Sequence, residues 1–510
     1  MEYAGDTRIY RRNISVRHSE GIDAPLFQAA EKWPERPAFR CRGEVLTYTE
    51  LLARAECLAA CLIDEGVSKG DRVGIAMTKG LEMPIAVYGI WLAGAVFVPM
   101  DTNAPVARHA AIIEDCELRV LVGSERNKPL LQNLAQTADV TIVGVEIDGV
   151  RCRMPAASAP DFEPVANGLD DLAYIIFTSG STGVPKGIVH THRSGRAFAK
   201  AWYDKHGLTK DDVFFCTVPL HFDFSLADFF TPPMAGATTE LVPEPTLMFP
   251  ASLAAAIQES GATIWSTVPY PIIQIVERGG SDQFDLSSLR WLIYGGEPMP
   301  SAKLAGINQT FSAKLSNSYG PAEVNQVTQY TVPHDHPADN PIPIGEPMNH
   351  TEIVLSQDGE LLFAGEMMMQ GYWRRPELNA KIFVEQDGKR FYRSGDLGSQ
   401  RDDGLWMFHG RIDRQVKIRG NRVELDEIEA TLAAHPAVSE AGVVPTADKM
   451  ALNAFVTLVP GDVVDPNELM AHCRSQLPGY AVPASVTVRD AFVRTGTGKI
   501  DRRALESEET

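Results

Sequence analysis

A segment that could hold a polyphosphate follows an apolar stretch in the first half of the chain. Residues 174–192 read YIIFTSGSTGVPKGIVHTH, so an apolar, β-branched run leads into a loop of Thr, Ser and Gly. Glycine lets the backbone fold tightly, and successive N–H groups can then converge on an anion. The hydroxyls add donors and Lys186 adds a positive charge. The candidate anion-binding residues are Thr178, Ser179, Gly180, Ser181, Thr182, Gly183 and Lys186.

This loop differs from the Walker loop, because Lys186 is followed by Gly187 and Ile188 rather than by Ser or Thr. A Gly/Ser/Thr cluster by itself is more typical of a surface turn than of a ligand site. The order of other segments decides between the two interpretations. NSYGPAE, YRSGDL, GRIDRQVKIRGNRVELDEIE and TGKIDRRAL begin at residues 317, 392, 410 and 497, and LTYTEL and WLAGAVFVPMD precede the loop at residues 46 and 91.

Together these segments resemble, in order and over almost the full length, the adenylate-forming superfamily of acyl-CoA synthetases, luciferases and peptide-synthetase adenylation domains. The chain is most similar to a stand-alone amino-acid adenylation enzyme. The resemblance implies ATP and Mg²⁺ as cofactors. It also implies that Lys186, Glu323 and Lys499 are catalytic, with Glu323 as the metal ligand. One departure is Ala322, where many relatives have Thr, so one hydroxyl near the phosphates is missing or replaced.

The resemblance assigns the rest of the nucleotide site. Tyr319 would stack on the purine, Asp396 would accept the ribose hydroxyls, and Arg411 would reach the ribose or phosphate. Further implied nucleotide contacts are Gly295, Gly296, Glu297, Asn317, Ser318 and Gly320.

Two half-reactions are implied, and they need different positions of the C-terminal part of the chain. In the first, Lys499 would stabilise the charge that builds as the acyl phosphate forms. In the second, a thiol would displace AMP. The part following the hinge residue Asp413 would rotate between them, withdrawing Lys499 and bringing residues 417–420 to the site.

The string HFDFSLAD at residues 221–228 suggests which acid is activated. In amino-acid-activating relatives an Asp at this place pairs with the substrate ammonium, and Asp223 matches it. A buried aspartate that faces no protein cation needs such a partner, although a helix N-cap is an alternative role. The expected substrate-pocket residues are Asp223, Phe224, Ala227, Pro271, Ile293, Gly295, Ser318, Gln326 and Val327.

Apart from Asp223, this pocket has no charged side chain, and Phe224 would shorten it. We therefore expect a small neutral amino acid, and the sequence leaves α- and short β-amino acids equally open. The acceptor is expected to be the phosphopantetheine thiol of a separate carrier protein, since the chain ends soon after Lys499; coenzyme A is the alternative. A ligase for a non-amino acid and a non-catalytic protein with this fold are the competing hypotheses.

Composition narrows the class of protein. The 510 residues carry a formal net charge of −19, which opposes non-specific binding to nucleic acid or to an anionic membrane. Seven scattered cysteines without a CxxC pair are typical of reduced thiols, and the N-terminus has no apolar signal core. We expect a cytoplasmic protein with no nucleic-acid or membrane partner.

The elements that must position these residues alternate between apolar strand-like runs and helix-like segments, which predicts α/β layers. Short alternating runs at residues 343–363 indicate a small β subdomain. The predicted fold is thus a large N-terminal domain of layered α/β subdomains with a small β subdomain, followed by a small mobile α+β domain. The boundary is predicted at residue 410, which gives a core of residues 1–410 and a lid of residues 411–510.

Overall fold

The computed structural model describes residues 19–144, 146–147, 150–151, 162–178, 185–349, 351–494 and 500–507. Six predicted site residues lie outside them: Ser179, Gly180, Ser181, Thr182, Gly183 and Lys499. The helices are α1 (Ala24–Lys32), α2 (Tyr48–Asp64), α3 (Glu82–Leu92), α4 (Val106–Cys116), α5 (Lys128–Thr137), α6 (His192–His206), α7 (Leu226–Phe230), α8 (Pro232–Ala235), α9 (Glu244–Leu247), α10 (Pro250–Ser260), α11 (Pro269–Arg278), α12 (Leu304–Thr310), α13 (Pro376–Ile382), α14 (Leu425–Ala433), α15 (Pro466–Gln476) and α16 (Arg502–Ser507).

The strands up to the first half of the β subdomain are β1 (Pro37–Cys41), β2 (Glu44–Thr47), β3 (Arg72–Ala76), β4 (Val96–Pro99), β5 (Val120–Gly123), β6 (Thr141–Val143), β7 (Glu146–Ile147), β8 (Val150–Arg151), β9 (Leu172–Thr178), β10 (Lys186–Thr191), β11 (Val213–Cys216), β12 (Thr238–Leu241), β13 (Ile264–Thr267), β14 (Trp291–Gly295), β15 (Lys314–Tyr319), β16 (Thr328–Thr331), β17 (Glu346–Pro347) and β18 (Thr351–Leu355). The later strands are β19 (Glu360–Gly365), β20 (Gly371–Tyr372), β21 (Phe383–Gln386), β22 (Lys389–Gln400), β23 (Trp406–Arg411), β24 (Gln415–Ile418), β25 (Asn421–Glu424), β26 (Val438–Pro445), β27 (Leu452–Leu458) and β28 (Ser485–Arg489).

Two large sheets form the layered part of the molecule. One has nine strands in the order β17-β16-β15-β14-β13-β11-β12-β1-β2, and the other has seven in the order β20-β10-β9-β4-β3-β5-β6. Neighbours from β15 to β1, and from β9 to β6, are parallel. Antiparallel strands lie at both edges of the nine-stranded sheet and at the β20 edge of the other. A third sheet, of β18, β19, β21, β22 and β23, is the predicted β subdomain. The α/β fold class is therefore confirmed.

Local sequence explains the long helix α2. Thr47 accepts a hydrogen bond from the backbone of Glu50, and the Glu50 carboxylate accepts one from the backbone of Thr47, which satisfies two helix donors that would otherwise have no partner. The uncharged stretch at residues 83–100 falls in the buried helix α3 and the buried strand β4. Among the helices of the described residues, none combines the length and apolar character needed to cross a bilayer.

Elements after residue 411 pack around a core of their own. Side chains of β24, β25, α14, α15 and the sheet β26-β27-β28 share one apolar cluster with Ile428, Leu432 and Leu469 at its centre. This arrangement gives a small C-terminal α+β unit beside the large one. The exact boundary at residue 410 stays a prediction.

One buried histidine, His206, links α6 to the nine-stranded sheet through hydrogen bonds. The ring of His206 donates from Nδ1 to the carbonyl of Trp202 (2.9 Å), and its Nε2 accepts from the amide of Gln329 (2.9 Å). Burial lowers the pKa of His206 from 6.5 to about 4, and the positive charge of Arg290 acts in the same direction.

We predict that His206→Gln changes how stability depends on pH. The folded state binds the imidazole proton more weakly than the unfolded state. The wild type therefore loses stability through His206 as the pH falls from 6.5 towards 4, and it loses none above pH 6.5. The variant lacks this loss. Its free energy of unfolding, relative to that of the wild type, should therefore rise by about 1 kcal/mol for each unit by which the pH falls within that window. Urea unfolding between pH 7.5 and 5 measures this, and parallel pH profiles for the two proteins would contradict it.

Candidate active site

The predicted site residues gather where parallel strands end. Gly295 closes β14, Tyr319 closes β15, and their register pairs Gly295 with Ser318. Thr178 closes β9 in the other large sheet and pairs across a hairpin with Lys186, so the predicted phosphate loop connects these two residues. Ligands of open α/β sheets bind at the carboxyl ends of the strands. The fold thus supplies the place that this chemistry requires.

Three predicted pocket residues meet at Gly295. A Cβ atom there would lie 2.3 Å from the carbonyl oxygen of Ser318 and 2.7 Å from Cε2 of Phe224. Any side chain at this position would therefore displace the Phe224 ring or the β15 backbone. Of the other predicted pocket residues, Ala227, Ile293 and Val327 are buried and Pro271 is half-buried in the first turn of α11.

Gln326 places an amide beside this group. Its Oε1 accepts from the indole of Trp202 (3.0 Å) and from the hydroxyl of Ser318 (2.9 Å). Because an indole N–H can only donate, the amide oxygen must be the atom that faces Trp202. The buried Nε2 has no hydrogen-bond partner among the described residues, so it remains a donor for a ligand.

Asp223 lies in a short 3-10 turn at Asp223–Ser225, and burial raises its pKa to about 6. The sequence predicted that no protein cation faces this carboxylate. The positive charge of Lys417, from the small domain, lowers the Asp223 pKa, but by less than burial raises it. Burial in turn lowers the pKa of Lys417. The pairing of Asp223 with a substrate ammonium stays a prediction.

The predicted ribose and purine residues contact one another directly. The Tyr319 hydroxyl donates to Asp396, whose other oxygen pairs with the Arg411 guanidinium. Arg411 also pairs with Asp413, the predicted hinge, at 2.6 and 2.7 Å. Burial raises the pKa of Asp396 although Arg411 lowers it. Each carboxylate oxygen thus accepts one hydrogen bond from these partners and keeps a second lone pair that could accept from a ribose hydroxyl.

Asn317, another predicted nucleotide contact, uses its side chain differently. Its amide donates to the carbonyl of Pro343 (2.8 Å), which holds the segment before the β subdomain against β15. Its role towards a nucleotide stays a prediction.

A tight turn positions the predicted metal ligand. A Cβ atom at Gly320 would lie 1.7 Å from the backbone oxygen of Asn325, so only glycine allows this approach. Asn325 itself adopts φ +58°, a left-handed conformation that Asn tolerates. The turn directs Glu323, which is completely buried, towards β20 and β25.

Glu323 is held by two donors on one oxygen. Its Oε1 accepts from the hydroxyl of Tyr372 (2.6 Å) and from Nη1 of Arg422 (2.7 Å). Burial alone would raise its pKa, but Arg422 and Tyr372 lower it to about 2, so the carboxylate is ionised. Oε2 is buried and has no hydrogen-bond partner among the residues described. A hard anionic oxygen with free lone pairs suits Mg²⁺, which needs only one or two carboxylates beside phosphates.

The small domain covers this edge of the sheets. The backbone N–H of Gly420 donates to Glu297 (3.0 Å), Glu424 lies 3.7 Å from Lys186, and Glu427 pairs with Arg108 at 3.4 Å. A Cβ atom at Gly420 would lie 2.3 Å from Cγ1 of Val268, so the turn after β24 fits closely only with glycine. This is the face, residues 417–420, that the resemblance expects at the site for thiol transfer.

Three residues in contact with the predicted site were missed from the sequence. Tyr372 follows a glycine in an ordinary Gly-Tyr-Trp string, and nothing in the sequence connects it with Glu323. Arg422 and Glu424 lie inside the quoted string of residues 410–429, and their alternation along a strand was a usable signal of a shared face.

Comparison with known proteins agrees with this architecture. The AMP-binding enzyme family matches residues 26–373, and the AMP-binding enzyme C-terminal domain matches residues 427–499. L-proline--[L-prolyl-carrier protein] ligase of Pseudomonas fluorescens is 31% identical over 505 residues, covering 94% of this chain and 97% of that protein. Tyrocidine synthase 2 of Brevibacillus parabrevis is 34% identical over 509 residues, which cover 96% of this chain but only 14% of that protein. The chain likewise spans only 20% of the dimodular nonribosomal peptide synthase of Bacillus subtilis, at 31% identity over 488 residues.

Solved structures share the fold. The amide bond synthetase McbA from Marinactinospora thermotolerans superposes with a TM-score of 0.86 at 24% identity, covering 96% of this chain and 99% of that one. The Vibrio cholerae adenylation domain AlmE, in complex with glycyl-adenosine-5'-phosphate, gives a TM-score of 0.83 at 24% identity, with 99% of both chains covered. A two-part fold of this kind, with its site at the sheet edges, defines an adenylate-forming class of protein. The chain belongs to the AMP-binding enzyme family.

We predict that Asp396→Asn weakens ATP binding by about 10- to 100-fold. The substitution replaces a charged acceptor by a neutral one, and hydrogen bonds to a charged group contribute about 1.5–3 kcal/mol. Isothermal titration calorimetry with ATP measures the loss. Asp403→Asn, at a half-exposed carboxylate in the turn between β22 and β23, is the matched control. Equal affinities in the two variants would refute the assignment of Asp396.

Proposed function

We propose that the protein activates a small neutral amino acid with ATP and transfers it to the phosphopantetheine thiol of a separate carrier protein. The observation that carries this proposal is the position of Asp223 and Phe224 at the same sheet edge as Tyr319 and Glu323. The likeness to the prolyl-carrier protein ligase supports a carrier protein, and the glycyl adenylate of AlmE supports a small substrate.

In the first half-reaction, a carboxylate oxygen of the amino acid attacks the α-phosphorus of ATP. The bond to the bridging oxygen breaks, and pyrophosphate leaves. Asp223 would hold the substrate ammonium, which orients the carboxylate, and Lys186 and the loop before it would hold the phosphates. Mg²⁺ held by Glu323 would neutralise phosphate charge. Lys499 would stabilise the charge that develops between carboxylate and phosphate.

In the second half-reaction, the carrier thiolate attacks the acyl carbon, the bond to the phosphate oxygen breaks, and AMP leaves. The arrangement described above, with Gly420 hydrogen-bonded to Glu297, matches the one expected for this step. Lys417 then lies near Asp223 and Asp396, where its positive charge can balance the AMP leaving group. Rotation about Asp413 would exchange this face for Lys499.

The amide nitrogen of Gln326 limits the class of expected substrates further. A buried donor without a partner costs about 1–3 kcal/mol, and a substrate acceptor would remove that cost. Gln326 is linked through Ser318 to the Gly295 and Phe224 group. We therefore favour a substrate whose short side chain carries a hydrogen-bond acceptor, such as serine, over alanine or glycine.

The charges around a neighbouring cavity favour a carrier protein over coenzyme A. A small cavity of about 20 Å³ lies beside His221, two residues before Asp223, and its described lining includes Asp101, Glu244 and three methionines. Lys79 is the one cation among those lining residues, and its buried ammonium donates to the carbonyl of Thr217. The nucleotide of coenzyme A would bring several phosphate charges to these acidic surroundings, whereas a carrier arm brings one phosphodiester.

We predict that pyrophosphate exchange responds to small amino acids and not to the matching plain acids, and that the exchange rate with serine exceeds that with alanine by at least about tenfold.

Asp223→Ala should remove the preference for amino acids, because the ammonium loses its counter-charge. Gln326→Leu should lower activity with serine more than with alanine, because loss of the Nε2 donor affects serine alone, whereas loss of the Oε1 acceptor for Trp202 and Ser318 affects both substrates.

The same assay identifies the competing functions. A response to plain acids alone would make the protein a ligase for a non-amino acid. ATP binding without exchange for any acid would make it a non-catalytic member of the family. Retained amino-acid selectivity in Asp223→Ala would reject the ammonium pairing.

We also predict that 4'-phosphopantetheine discharges the adenylate at least about tenfold faster than coenzyme A at equal concentration. Glu244→Lys should reduce the difference between the two discharge rates, because it adds a cation for the nucleotide phosphates. Single-turnover release of AMP measures both rates. Faster discharge by coenzyme A in the wild type would assign the protein as an acyl-CoA ligase.

A further inference from the structure

Strand β25 of the small domain presents two opposite charges to two predicted ligand-binding residues of the large domain. Arg422 and Glu424 are two positions apart, so their side chains project from the same face of the strand. Arg422 binds Glu323 at 2.7 Å, and Glu424 lies 3.7 Å from the ammonium of Lys186. The two β25 side chains are themselves 3.7 Å apart, Nη2 to Oε1.

Each charged side chain of β25 has the same sign as the ligand that is expected at the large-domain residue it faces. Glu323 is the candidate ligand of Mg²⁺, and it receives a cation from β25. Lys186 is the candidate ligand of phosphate, and it receives a carboxylate. A metal bound to phosphate oxygens has the same order of charges, positive at Glu323 and negative at Lys186.

We propose that β25 is a built-in substitute for magnesium pyrophosphate, with Arg422 replacing the metal at Glu323 and Glu424 replacing a phosphate at Lys186. The docked small domain and magnesium pyrophosphate then compete for the same two residues of the large domain. Departure of pyrophosphate after the first half-reaction frees them, and the strand takes its place for thiol transfer. Arg422 and Glu424 are positioning residues in this scheme.

Burial makes the competition strong. The exposed fractions of the four side chains are 0% for Glu323, 8% for Glu424, 14% for Lys186 and 16% for Arg422. A buried charge that loses its partner is strongly destabilising, so Glu323 and Lys186 each need a counter-charge at every stage. Either the ligand or the strand can provide it. By reciprocity, each must weaken the other.

The inference rests on the proposed function, because Lys186 and Glu323 are assigned to phosphate and metal there. It goes further in making the small domain a competitor for their ligand. The alternative is that the ion pairs only hold the domains together and are indifferent to pyrophosphate.

Hydrogen exchange in the full-length protein without ATP or amino acid tests the competition. The probe is Mg²⁺ with inorganic pyrophosphate, which cannot react under these conditions. In the wild type, the backbone amides of residues 415–424, including the Gly420 N–H that donates to Glu297, should exchange at least about fivefold faster when the probe is added. The amides of Ile428 and Leu469 in the small-domain core should not change.

Calorimetry with the same probe tests the reciprocal effect. Arg422→Met and Glu424→Gln should each bind magnesium pyrophosphate about five- to tenfold more tightly than the wild type, because the docked state no longer competes. Arg422→Lys keeps the charge and should recover part of the wild-type affinity. Arg419→Gln removes an exposed cation from the same hairpin and should bind like the wild type. Thermal unfolding of each variant verifies that it is folded.

A kinetic comparison separates this role from general stabilisation. Arg422→Met and Glu424→Gln should slow discharge of the adenylate by a thiol more than they slow pyrophosphate exchange. Wild-type protein that binds the probe without faster exchange at residues 415–424, together with unchanged affinity in both variants, would overturn the inference. Failure of the wild type to bind the probe at all would instead count against the proposed function.

Discussion

The ionised, fully buried carboxylate of Glu323 is the constraint around which the two domains are arranged. A charge in this position is tolerated only because Tyr372 and Arg422 donate to it, and Arg422 belongs to a different domain from Glu323. The docked small domain therefore supplies part of the counter-charge of this carboxylate, in addition to its contacts through Gly420 with Glu297 and through Glu427 with Arg108. In the proposed competition, a bound metal would replace Arg422 at Glu323, which would remove one of the contacts that hold the domain docked.

A second set of charges connects the β subdomain with the segment that leads into the small domain. Asp396 lies on β22, Arg411 ends β23, and Asp413 follows in the connection. Tyr319, at the end of β15, joins the same set through its hydroxyl. Ribose hydroxyls that donate to Asp396, as proposed, would share this carboxylate with Arg411, which also pairs with the proposed hinge residue Asp413. We therefore expect nucleotide binding to influence the domain position through these contiguous contacts.

The shape of the predicted pocket depends mainly on positions where backbone or ring atoms lie too close to allow a side chain. Gly295 and Gly320 are required because neighbouring backbone or ring atoms occupy the space of a Cβ. Gln326 adds the specific polar element, with its orientation fixed by the donor-only indole of Trp202. In the proposed function, packing would limit the size of the substrate, and the Gln326 amide would limit its chemistry.

The sequence by itself determined the fold class and the family, and it predicted the candidate site residues from short motifs. Periodicity and capping are local properties, as in α2 with Thr47 and Glu50, and a short motif such as NSYGPAE is contiguous, so both can be seen in a linear chain. Only the tertiary structure decided which charges neutralise which. Tyr372, Arg422 and Glu323 are far apart in sequence, and Lys417 approaches Asp223 across the domain interface, so that no local pattern encodes these pairs. Burial, and with it the need for a counter-charge, exists only after the sheets and the small domain have come together.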